Sequence, residues 1–99
     1  MADLVSEIEA VQGKVTDALR ETERDDGASP VLVAVVQEFA AKADKAVRRP
    51  GRDAVIELEQ AGDSAKAAVE ADPGAGAKTK EQVLEAHLAI CMLKAASRA

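Results

Sequence analysis

The chain has 99 residues, 47% apolar and 31% charged, with a net charge of −5 and a pI near 4.8. That length makes one domain spanning 1–99, and the acidic balance argues against nucleic acid or an anionic membrane as partner. A single Cys excludes an internal disulfide. The start, Met-Ala-Asp-Leu-Val-Ser-Glu, has neither a basic region nor a long apolar run. Together these predict a cytoplasmic protein. Ala supplies nearly half of the apolar content, and Phe39 is the sole aromatic. Ala is the best helix former, so composition favours an all-α fold.

The first helix is predicted over about 3–24. Leu4, Ile8, Val11, Val15 and Ala18 follow a four-three spacing, the seam of a helix that packs lengthwise on another. Asp3 is placed to cap its N-terminus. Gly13 falls on the polar side, and Gly27 is expected to end the helix in a left-handed conformation.

The second helix is predicted over 30–48. Ser29 is a suitable N-cap and Pro30 a suitable first residue. Val31 to Val36 is rich in β-branched residues, but no second segment offers a strand to pair with it. The pattern Leu32, Val35, Val36, Phe39, Ala43, Ala46, Val47 continues helically instead. Pro50 disfavours helical geometry at Arg49 and stops the helix.

The third helix is predicted over 53–71, with Val55, Leu58, Gly62, Ala65 and Val69 as its seam. A glycine in a seam weakens the helix, unless a close crossing requires it. Asp72-Pro73-Gly74-Ala75-Gly76-Ala77 is the longest linker and reads as flexible. Thr79 and Gln82 have the spacing of a capping box for the fourth helix.

The fourth helix, predicted over 80–97, has apolar residues on two flanks. Leu84, Leu88, Cys91 and Ala95 form one; Val83, Ala86, Ile90 and Leu93 form the other. A helix apolar on most sides is buried by several neighbours or by another chain, so it is expected at the centre of the molecule. Four such helices with short connections predict an antiparallel up-down-up-down four-helix bundle.

The functional expectation is a non-catalytic protein acting by association, as a homodimer or with another protein, through Leu84, Leu88, Ile90, Met92 and Leu93. No cofactor is implied. Gly74-Ala-Gly76-Ala-Lys78-Thr79 lacks the Gly-Lys-Thr order of a phosphate loop and follows a helix, not a strand. The alternative is a small site on helix four. His87 and Cys91 lie one turn apart and can begin a metal site, with a carboxylate such as Glu57 from another helix. His87 is also the only candidate for a phosphoacceptor histidine. Phosphorelay bundles carry a Lys and then a Gly shortly after that His, where Ile90 and Cys91 stand here. The Glu-x-x-His of di-iron bundles is absent, because Leu84 occupies the Glu position. Finally, Lys42, Lys45, Arg48, Arg49 and Arg52 form a basic cluster, expected to pair with Glu7 and Glu9 or to dock an acidic partner.

Overall fold

A computed structural model describes residues 3–97. Four α-helices follow one another: α1 (Leu4–Arg24), α2 (Pro30–Arg48), α3 (Arg52–Ala71) and α4 (Ala77–Ser97). The molecule measures 39 × 22 × 19 Å, so helices of about 30 Å run along its length. Each packs on its sequence neighbours, and α4 closes the ring on α1. No strand forms among the described residues, and Val31 to Val36 is helical throughout. No described helix is long and apolar enough to cross a membrane.

Each helix buries five positions at alternating three- and four-residue steps. They are Ile8, Val11, Val15, Ala18 and Thr22 on α1, and Leu32, Val36, Phe39, Ala43 and Ala46 on α2. On α3 they are Val55, Leu58, Gly62, Ala65 and Val69; on α4, Thr79, Val83, Ala86, Ile90 and Leu93. A 3.5-residue period keeps one stripe facing the bundle axis. It also means that α4 is not central. It has two neighbours like the other helices, and one of its flanks faces outward.

The four stripes contain an internal correspondence. Every buried position of α1 and α2 recurs 47 residues later on α3 and α4, from Ile8 and Val55 at one end to Ala46 and Leu93 at the other. The two helical hairpins are thus equivalent units, and their connecting loops meet. Asp25 accepts from Gly27 N at 2.9 Å in its own loop and from Gly76 N at 2.7 Å in the other. Asp72 does the same, accepting from Gly74 N at 2.9 Å and Ser29 N at 2.8 Å. The backbones touch at the crossing: a Cβ on Gly27 would lie 2.0 Å from Gly74 O, and one on Gly74 2.2 Å from Gly27 O.

This crossing revises three expectations. Gly27 has no positive φ, and is required by contact rather than by handedness. The segment from Asp72 is bonded across to the other loop, with Asp72 itself buried. Thr79 is not a cap. The helix begins at Ala77, and the Thr79 hydroxyl donates to Asp25 Oδ2 at 2.7 Å. The other caps form as expected: Asp3 accepts from Ser6 N and Ser29 from Leu32 N.

Gly62 answers a need for space. A Cβ there would stand 3.1 Å from Phe39 Cζ, 3.2 Å from Ile90 Cγ2 and 3.4 Å from His87 Cδ2. The missing side chain admits the ring of Phe39, the largest buried residue, and leaves room for His87.

Candidate functional site

The antiparallel hairpin of α3 and α4 lays the two helices side by side, so polar side chains flanking their buried stripes reach across to one another. Asp63 meets His87, and Glu59, one turn earlier on α3, meets Lys94. His87 Nε2 lies 2.8 Å from Asp63 Oδ1, and Lys94 Nζ donates to Glu59 Oε1 at 2.6 Å. The next turn of α4 brings Cys91 Sγ to 3.4 Å from His87 Nε2. One ligating atom each from Asp63, His87 and Cys91 thus falls within 4.8 Å of the other two.

The three groups differ in setting. The His87 side chain is 16% exposed, whereas Asp63 faces solvent and Cys91 is half-buried. Burial pushes the Cys91 thiol above its ordinary value, and the carboxylates of Glu59 and Asp63 push the same way. An unassisted thiol here stays protonated, which disfavours nucleophilic chemistry. A cation among the three would reverse that balance by stabilising the thiolate.

The donor set is one imidazole nitrogen, one thiol sulfur and one carboxylate oxygen, all used by zinc-like ions. At zinc–ligand bond lengths of about 2.0–2.3 Å, tetrahedral neighbours stand roughly 3.5 Å apart. The nitrogen–sulfur separation already meets that. The shorter nitrogen–oxygen distance is that of a hydrogen bond, whose proton a metal would replace.

His87 and Cys91 therefore come together as expected, but Glu57 does not join them. Its carboxylate turns toward α2, 3.2 Å from Lys45 Nζ and 3.3 Å from Lys42 Nζ. Those bonds, Lys45 first, hold its carboxyl below the usual range. Asp63 takes the role instead. It escaped notice as one more exposed acid on a helix, and counting outward from the turn sets Glu85 level with it, with His87 further along α4. As a phosphoacceptor His87 is poorly placed, since Nε2 is engaged and the ring is mostly covered.

The other expected site residues are dispersed. Ile90 and Leu93 belong to the core, Leu84 is half-buried, and Leu88 and Met92 are exposed. In the basic cluster, Lys42 and Lys45 pair with Glu57, and Lys42 also approaches Glu38. Neither pairs with Glu7 or Glu9. Arg48, Arg49 and Arg52 are exposed and form no ion pair among the described residues. No protein family, curated protein or solved structure matches the chain.

Proposed function

We propose that this protein is a non-catalytic helical bundle that binds a divalent transition-metal ion between α3 and α4. Asp63 Oδ1, His87 Nε2 and Cys91 Sγ are the ligands. The observation supporting this is the convergence of three different ligand types from two helices within 4.8 Å. Three protein ligands leave a coordination position for water or a further group. Gly62 favours the arrangement by leaving space beside the His87 ring.

The test is cobalt(II) titration of protein purified without a histidine tag. A bound ion should give the visible bands of a tetrahedral centre and a near-ultraviolet thiolate-to-cobalt band. His87→Ala and Cys91→Ser should each abolish the thiolate band while helical circular dichroism is unchanged. Zinc should compete, and should stabilise the fold by about 2.7 kcal/mol at a free concentration one hundred times Kd. Absence of these bands at micromolar cobalt overturns the proposal.

A second reading is favoured by the outer surface of α4. Leu88 is 58% and Met92 63% exposed, beside half-buried Leu84 and Cys91. Apolar residues gathered on one outer face suit self-association. Ile90 and Leu93 take no part, being already used in the core. Light scattering across a dilution series, with Leu88→Glu as comparison, tests this. A mass that stays at one chain throughout rejects it.

A further inference from the structure

A second opening lies at the other end of α3 from the crossed loops. A cavity of about 420 Å³ is lined by Leu4 of α1, Arg52, Val55 and Ile56 of α3, and Lys94 and Ser97 of α4. Small-molecule sites occupy about 300–1,000 Å³ and combine apolar walls with a few polar groups, as this one does. Val55 is buried, and Leu4 and Ile56 are half-buried, and these three supply an apolar side to the cavity opposite its polar groups. Among the described residues, both charged groups in the lining are cations and no carboxylate lines the cavity. Lys94 is already held by Glu59, but the Arg52 guanidinium forms no ion pair among the described residues. The contrast with the smaller opening near the crossed loops is informative. Its lining mixes the acids Asp17 and Glu21 with Arg20, Arg24 and Lys78, and Lys78 pairs with Glu21 at 3.4 Å.

We infer that this end cavity binds a small organic anion, a monocarboxylate with an aliphatic body. The carboxylate would lie on Arg52, and the aliphatic body against Leu4, Val55 and Ile56. An arginine fork matches a carboxylate's two oxygens, and the apolar walls remove the chain from water. This inference does not depend on metal binding at Asp63, His87 and Cys91.

Octanoate is the probe, with 1-octanol as its uncharged counterpart, followed by methyl NMR of the full chain in EDTA. Octanoate should shift the methyl signals of Leu4, Val55 and Ile56 saturably. Arg52→Gln should weaken it roughly tenfold or more, the range for a lost charge-assisted hydrogen bond. Ile56→Trp, which fills the mouth from a half-buried position, should block it with the remaining spectrum intact. Equal binding of octanol refutes the anion selectivity. Shifts confined to Leu84, Leu88 and Met92, or no saturable shift below millimolar octanoate, refute the site.

Discussion

A single missing side chain shapes the middle of this bundle. Gly62 occupies the position that Val15 fills in the equivalent hairpin, and its empty volume is taken by Phe39, Ile90 and the edge of His87. Gly62→Val should therefore restore a regular seam in sequence yet overpack the core. The expected cost is about 1–3 kcal/mol, read as a lower denaturation midpoint with an unchanged slope. Phe39→Leu in the same chain should recover part of it, because the valine methyls and the ring compete for one space. A stabilised Gly62→Val protein would show that the core yields easily there. Seen in the sequence, a seam glycine leaves tolerance and close approach equally open. The deciding fact is the aromatic on α2 at the same height, which no local pattern around residue 62 contains.

Among the elements, the loops carry more of the architecture than their composition suggests. Asp25 and Asp72 each span both loops, and each carboxyl is held below its ordinary range. For Asp25 the Thr79 hydroxyl is the foremost cause, followed by the Gly76 amide; for Asp72 it is the Ser29 amide. A carboxyl lowered in the folded state releases its proton more readily there than in the unfolded chain. The stability it adds is complete above the unfolded value of about 4 and is lost as pH falls through the folded one. Thermal melts should thus be flat near neutrality and decline in acid. Asp25→Asn and Asp72→Asn should each lower the melting temperature at pH 7 and flatten the acid decline. An acid decline identical to that of the parent protein would place its origin elsewhere. The sequence does contain a trace of this arrangement. Asp-x-Gly-Ala occurs at Asp25–Ala28 and again at Asp72–Ala75. Elsewhere the two hairpins differ in side-chain identity at most positions while sharing their buried ones. The repeat is therefore visible in the pattern of burial but faint in the residues, and the second copy looks like a plain glycine-rich linker.

At the scale of the whole molecule, the question is which apolar surface is used inside. For α1, α2 and α3 the polar residues mark the outside, and the inward seam follows from spacing alone. On α4 both flanks are apolar, so periodicity finds the helix but not the side that faces in. The inward side becomes evident only from the other three stripes, whose positions recur 47 residues on and end at Leu93. Ile90 and Leu88, two residues apart on one helix, thus belong to opposite environments: Ile90 is fully buried and Leu88 is 58% exposed. In chemical denaturation at concentrations where the chain is a monomer, Ile90→Ala should cost about 2–5 kcal/mol. Leu88→Ala should stay within about 0.5 kcal/mol. Repeating the pair at high concentration separates folding from association. If α4 pairs with a second copy, Leu88→Ala becomes costly only there, while the penalty at Ile90 remains at every concentration. Equal, large penalties in the dilute monomer would instead mean that α4 is turned to bury both flanks, and that the ring of four stripes is incorrectly drawn.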